Sequence, residues 1–90
     1  ATTRLDALVE ILPGAGSGLR NLATVRLHHG TSSSPARIHL LEGRPELRPK
    51  ERGFAQIVLD EEVAALAGDR FVLRDESARR TLGGGVVLRP

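Results

Sequence analysis

Asp69-Arg70-Phe71-Val72-Leu73-Arg74-Asp75-Glu76-Ser77-Ala78-Arg79-Arg80-Thr81-Leu82-Gly83-Gly84-Gly85-Val86-Val87-Leu88 is the stretch on which the fold turns. An apolar strand around Phe71 and Leu73 leads into a charged reversal, and a second strand then opens on three glycines. Glycine weakens a strand because it adds backbone entropy and no side chain to pack, so three in succession predict a bend or a close backbone approach. At least one of Gly83, Gly84 and Gly85 is expected where a Cβ would clash, at a bulge or under a neighbouring strand. Alternation puts Phe71 and Leu73 inside, and Val86 and Leu88 with them.

Outward from this hairpin the dominant period is two. Leu5, Ala7, Val9 and Ile11 alternate with Arg4, Asp6 and Glu10 in a half-buried strand. Pro13 to Gly18 breaks the pattern as a flexible loop. Ala23, Val25 and Leu27 alternate with Thr24, Arg26 and His28. After an expected turn over Gly30–Pro35, Ala36, Ile38 and Leu40 alternate with Arg37 and His39. Residues 43–52, with Pro45 and Pro49, read as a connection. Ala55, Ile57 and Leu59 line one face of a fourth strand from Phe54. Glu61 to Ala67 is compatible with a short helical turn or an extended crossing. Six short strands between turn signals predict an all-β antiparallel barrel or sandwich. The expected interior is Leu5, Val9, Val25, Leu27, Ile38, Leu40, Ile57, Leu59, Phe71, Leu73, Val86 and Leu88.

Composition narrows the possibilities. Ninety residues make one domain with a modest core. The chain has no Cys, hence no disulfide framework, thiolate metal site or cysteine nucleophile. It has no Met, so residues 1–90 are expected to be one barrel domain cut or processed from something longer. No apolar run approaches the roughly 20 residues of a membrane-spanning helix, and no signal peptide is recognisable, so the cytoplasm is the expected location. The net charge is only +2, yet twelve of the thirteen cations are Arg and Lys50 is the only Lys. Arg carries a planar multi-donor fork suited to phosphate; a GC-rich genome yields the same bias without any RNA. Charge alone does not make the chain a nucleic-acid binder.

Catalytic signatures are missing. Residues 14–18 are glycine-rich, but no Gly-x-x-x-x-Gly-Lys-[Ser/Thr] occurs, and Lys50 sits between Pro49 and Glu51. His28 and His29 are adjacent on a strand and point to opposite faces. His28 and His39 across a hairpin would lack a third ligand, so no metal is expected. Asp60-Glu61-Glu62 reads as a solvated bend, and no nucleophile motif is present. What remains is a surface. If residues 23–29 and 36–41 pair, then Arg26, His28, Arg37 and His39 share an outward face beside a Ser/Thr-rich turn, groups that recognise phosphate and ribose. An ordinary solvated face reads the same way. Phe54 and Phe71 are the only aromatic residues besides histidine, which gives no platform for base stacking.

Arg70-Phe71-Val72-Leu73-Arg74-Asp75 followed by Arg79-Arg80-Thr81-Leu82-Gly83-Gly84-Gly85-Val86-Val87-Leu88 resembles the closing hairpin of the third domain of translational GTPases that carry aminoacyl-tRNA, and most resembles the selenocysteine-specific elongation factors. Leu47 to Leu59 is similar to that family's Pro-Gly-Glu-x-Gly-x-Ala-Gln segment, with Lys50 standing where the pattern has Gly. This departure implies a different turn or a strained φ at Lys50. His28-His29-Gly30-Thr31 is similar to the family's His-x-Gly-Thr turn, while residues 1–22 match only as a strand and a loop. The resemblance implies a six-stranded Greek-key barrel, like the third domain of elongation factor Tu. It also implies contact with the stem of an aminoacyl-tRNA, selenocysteinyl-tRNA in this branch, during GTP-dependent delivery to the ribosome. The matching positions are His28, His29 and Thr31 in one turn, and Asp75, Glu76 and Ser77 in the other. Arg79, Arg80 and Thr81 follow the second, and Arg26 adds charge near the first. GTP and Mg would belong to a separate GTPase domain, leaving this barrel without a cofactor or catalytic group, monomeric alone, and in contact with the other domains of its parent. The alternative is a structural interdomain module of another translational GTPase, Tu-like or an initiation factor, without direct tRNA contact; outward Val72 and Val58 in an exposed cluster would favour it.

Overall fold

The computed structural model describes residues 2–90. The strands are β1 (Thr2–Ile11), β2 (Leu19–Arg20), β3 (Thr24–His29), β4 (Ser32–Leu40), β5 (Glu46–Leu47), β6 (Arg52–Val63), β7 (Arg70–Arg74) and β8 (Thr81–Arg89). Six of them close into an antiparallel barrel in the order β1-β6-β4-β3-β7-β8, while β2 and β5 form a separate two-residue ribbon. Closure leaves none of the long strands with a free edge. The β1–β3 and β6–β7 connections cross the barrel ends, which makes the topology a Greek key.

Alternation accounts for most of the interior. Leu5, Val9, Val25, Leu27, Ile38, Leu40, Ile57, Leu59, Phe71 and Leu73 are all buried, as expected. The last strand is a correction. Val86 is half-buried on the outer face, and Leu88 is 47% exposed; Val87 points inward instead. The register explains the slip, because Gly83, Gly85 and Val87 pair with the inward Ile11, Val9 and Ala7, which leaves Val86 and Leu88 on the outer parity. Val87 pairs with Ala7 and Arg89 with Asp6, so Leu88 is the extra residue of a β-bulge and leaves the ladder.

The glycine triplet sits at the seam where β8 meets both β7 and β1. A Cβ on Gly83 would strike the Glu10 carbonyl oxygen, and one on Gly85 the Leu8 carbonyl oxygen, with Phe71 Cζ only 2.8 Å away. A Cβ on Gly84 would lie 2.5 Å from the Phe71 carbonyl oxygen. All three positions therefore exclude a side chain, and Phe71 occupies the room left at Gly85.

Several connections are tighter than expected. The β3–β4 reversal needs only Gly30 and Thr31, and β4 already begins at Ser32. Pro35, which cannot donate to a ladder, sits just before the β4–β6 pairing starts at Ala36. The buried Ser34 hydroxyl accepts the Glu61 N–H there instead. Of the two options for residues 61–67, the extended one holds as far as Val63, and no helix occurs among the described residues. Residues 13–18 are anchored rather than free, since Ala15 is buried in the core. Lys50 adopts φ 75°, so the strained φ of the two expected alternatives is the one observed.

Candidate nucleic-acid interface

The outer faces of the barrel differ sharply in chemistry. On the β3–β4 side, the residues between the inward ones are Thr24, Arg26, His28, Ser33, Pro35, Arg37 and His39, and all are exposed or half-buried. Arg26, His28, Arg37 and His39 thus share an outward face, as expected. The cross-strand pairing extends it. Arg26 lies opposite Arg74 of β7, and Arg37 lies opposite Val58, which in turn lies opposite Arg4 of β1. None of Arg4, Arg26, Arg37 and Arg74 forms an ion pair; the four such pairs among the described residues are His29–Asp69, Arg44–Glu51, Arg48–Glu46 and Arg89–Asp6. Arg26 Nη2 donates to Ser33 Oγ at 3.2 Å, and Arg74 Nη1 donates to Thr81 Oγ1 at 3.0 Å. Two of these four guanidinium groups are thus held by hydroxyls, and none is paired with a carboxylate.

The two turns singled out from the sequence do not form one patch. The β3–β4 turn follows His29, whereas the β7–β8 turn follows Arg74, at the opposite end of the antiparallel β3–β7 pair. Thr31 is five residues beyond Arg26 and Asp75 one beyond Arg74, in opposite directions. At about 3.3 Å per residue the turn tips stand about 20 Å apart. The cationic face of β3 and β7 lies between them.

Within the turns, several candidate residues are occupied by the fold. Asp75 Oδ1 accepts from Ser77 Oγ at 3.0 Å and from the backbone N–H of Arg79 at 2.9 Å and Arg80 at 3.4 Å. The Arg79 N–H, ahead of Ser77 and Arg80, holds the Asp75 carboxyl below the ordinary carboxylate range. Asp75 and Ser77 therefore shape the reversal, in which Ala78 takes φ 59°. The Arg80 guanidinium folds against the Gly16 backbone, where an added Cβ would lie 3.2 Å from its Nη2. It forms no ion pair across the turn, although its charge also lowers Asp75. Glu76 and Arg79 remain exposed.

His29 is similarly committed, its Nε2 lying 2.9 Å from Asp69 Oδ2. That same oxygen accepts the Leu66 N–H at 2.9 Å and so pins the β6–β7 corner. These two hydrogen bonds, Leu66 first, lower the Asp69 carboxyl. His28 keeps its Nε2 buried with no partner. His28 pairs with Ser33 and His39 with Gln56, six residues farther along β4, so the two rings do not approach one ion. No group of three or more potential metal ligands occurs among the described residues.

Arg74 is the residue that sequence reading passed over. It continues the alternation of Phe71 and Leu73 on the outward parity, but the attention-drawing acids begin one residue later. Arg4 was likewise read only as the polar side of a strand.

The other side of the barrel is apolar. Phe54, Leu8 and Val86 are consecutive cross-strand partners on the outer face of β6, β1 and β8. Leu41, Phe54 and Leu88 line an adjoining concavity of about 630 Å3, rimmed by Asp6, Gln56 and Arg89. Exposures of 42% for Leu41, 45% for Phe54 and 47% for Leu88 leave this patch open to solvent. Val58, expected among outward apolar residues, sits instead between Arg4 and Arg37 on the cationic side.

Residues 6–90 match the family model described as selenocysteine-specific elongation factor, beta-barrel domain. The chain belongs to this family. It is 27% identical over 85 residues to a selenocysteine-specific elongation factor of Desulfomicrobium baculatum, an alignment covering 94% of this chain and 13% of that protein. It is 30% identical over 64 residues to the corresponding factor of Haemophilus influenzae, covering 71% of this chain and 10% of that protein. The chain therefore spans only about an eighth or less of the length of these relatives. The family membership agrees with the closed barrel. No helix among the described residues is long and apolar enough to cross a membrane.

Proposed function

We propose that this barrel contacts the stem of an aminoacyl-tRNA, selenocysteinyl-tRNA in this branch, as part of a factor that delivers it to the ribosome with GTP. The supporting observation is the outer face of β3, β4 and β7, where Arg26, Arg37 and Arg74 form no ion pair and hydroxyls hold Arg26 and Arg74. Arg and hydroxyl groups position a protein on phosphates and sugars. A double-stranded RNA stem is read mainly by shape, phosphate and 2′-OH, which suits a face with no stacking aromatic residue. A stem lying along β3 and β7 would reach from Thr31 at one turn to Glu76 and Arg79 at the other, about 20 Å at the strand rise. GTP and Mg would be bound by a separate GTPase domain, and this barrel would itself carry no catalytic group.

The test is tRNA binding by the full-length factor. Replacing Arg37 and Arg79 with Ala should weaken binding of the aminoacyl-tRNA and flatten its salt dependence by about 0.7–0.9 in log–log slope per lost phosphate contact, with GTP affinity unchanged. Unchanged tRNA affinity would refute the reading.

A second reading has its own observation. The open apolar patch of Leu41, Phe54, Leu8, Val86 and Leu88 suits packing against another domain of the same factor. The two readings are compatible, because the patch and the arginines occupy different faces. If the barrel were only an interdomain module, the Arg variants would leave tRNA binding intact while Phe54→Ser and Leu88→Ser disturbed the domain arrangement.

A further inference from the structure

Arg26 and Arg74 are direct cross-strand partners on the outer surface of the β3–β7 pair. Like charges set opposite each other on an antiparallel pair destabilise it. Acids do not relieve this pair, since neither guanidinium forms an ion pair among the described residues. Asp75 follows Arg74 directly, but its Oδ1 is turned into the reversal towards Ser77, Arg79 and Arg80. Instead, a neutral hydroxyl holds each guanidinium, Ser33 for Arg26 and Thr81 for Arg74. Both arginines are half-buried, so their stems are packed and their heads confined.

The strand geometry supports the arrangement. Leu73 pairs with Gly83 and Arg74 with Thr81, so Leu82 is an extra residue in β8. Without that bulge, Thr81 would share the inward parity of Gly83. With it, the hydroxyl lies on the outer side beside Arg74. Bulges commonly re-aim side chains next to functional sites. Each guanidinium has five N–H donors and commits one to a hydroxyl, which leaves the forks free for an oxyanion between them.

We propose that Arg26 and Arg74 clamp a single phosphate group on the outer face of β3 and β7, with Ser33 and Thr81 setting the planes of the two guanidinium groups. The phosphate relieves the repulsion between the arginines, so binding and barrel stability are linked at this point. A phosphodiester of an RNA stem and free inorganic phosphate share the recognised chemistry; the RNA source rests on the function proposed above.

The 90-residue chain can be tested with two probes, a blunt-ended RNA duplex without terminal phosphates and inorganic phosphate. Nε–Hε NMR signals of Arg26 and Arg74 report on the clamp, and thermal unfolding reports on the repulsion. Both signals should shift with the duplex. Arg74→Gln should weaken duplex binding about tenfold at low salt and reduce the log–log salt slope by about 0.7–0.9. Arg70→Gln, which removes an exposed cation on the same strand, should change affinity less than twofold. Without anion at low salt, Arg74→Gln should raise the unfolding midpoint, and either salt or a bound probe should cancel the gain. Arg74→Lys keeps the charge but not the fork, so it should retain the repulsion and lose most of the affinity. A response to inorganic phosphate with duplex binding unaffected by Arg74→Gln would uphold the clamp and refute its RNA source. Silent Arg26 and Arg74 signals with both probes, or a lowered midpoint for Arg74→Gln at low salt, would overturn the clamp itself.

Discussion

The β3–β4–β7 face and the β6–β1–β8 face are built from the same alternation, yet they display opposite chemistry. On the first, the outward positions carry Arg26, Arg37 and Arg74, none of them in an ion pair, with Arg26 and Arg74 each held by a hydroxyl. On the second they carry Phe54, Leu8 and Val86 in a single cross-strand row, with Leu41 and Leu88 beside it. Folding requires neither pattern, because the core is filled by the inward residues alone. A barrel with unneutralised cations on one side and exposed apolar side chains on the other is suited to two different neighbours at once. The glycine seam of β8 lies at the border, joined to β7 of the cationic face and β1 of the apolar one.

The seam should be the most sensitive place to break this arrangement. Gly85→Ala sets a Cβ against the Leu8 carbonyl oxygen and the Phe71 ring, and the Leu8 backbone cannot yield without opening the closure. A loss of about 3 kcal/mol or more in chemical denaturation is expected, beyond the roughly 1 kcal/mol span of strand propensity. Gly83→Ala should behave alike, and near-neutral values for both would leave the triplet without a steric reason. The apolar face should respond differently. Phe54→Ser and Leu88→Ser should each change the stability of the 90-residue chain by about 0.5 kcal/mol or less, while making the longer factor more open in small-angle scattering. A loss of several kcal/mol in the short chain would show that these side chains serve the barrel itself.

Acid provides a third test. Asp75 and Asp69 are both held below the ordinary carboxylate range, chiefly by backbone N–H groups of Arg79 and Leu66. A lowered folded-state value means that their stabilisation is present above the unfolded value of about 3.9 and is lost as pH falls through the folded value. Asp75→Ala should therefore lower the unfolding midpoint at neutral pH, and its difference from the parent should shrink on acidification below pH 4 or so. A difference independent of pH would deny the carboxylate this role. The smallest effect on stability is expected on the cationic face, where Arg37→Ala should stay within about 0.5 kcal/mol and act on RNA affinity alone.

The cationic face was legible where alternation ran uninterrupted. Val25 and Leu27 on β3, Ile38 and Leu40 on β4, and Ile57 and Leu59 on β6 point inward as their spacing implies, which correctly sends Arg26, His28, Arg37 and His39 outward. The reading failed where backbone geometry resets the parity. Three glycines carry no side-chain pattern, so the inward parity that runs through Gly83 and Gly85 to Val87 could not be read from Val86, Val87 and Leu88. The bulge at Leu82 likewise hid the partnership of Thr81 with Arg74. The turn residues carry a second role that the sequence does not display. Asp75, Ser77 and His29 have recognition chemistry, but Asp75 Oδ1, the Ser77 hydroxyl proton and His29 Nε2 also serve to shape the turn and the β6–β7 corner. The motif indicated the family, while hydrogen bonding separates the residues that build the turns from those free to meet a partner.

The most direct test is amide hydrogen exchange across the barrel of the full-length factor, with and without aminoacyl-tRNA. Added protection is predicted along β3 and β7, at residues 24–28 and 72–74, and along residues 33–37 of β4, with Phe54 and Leu88 unchanged. Protection confined to the apolar face, or none anywhere on the barrel while tRNA is bound, would contradict the assignment of the cationic face to RNA.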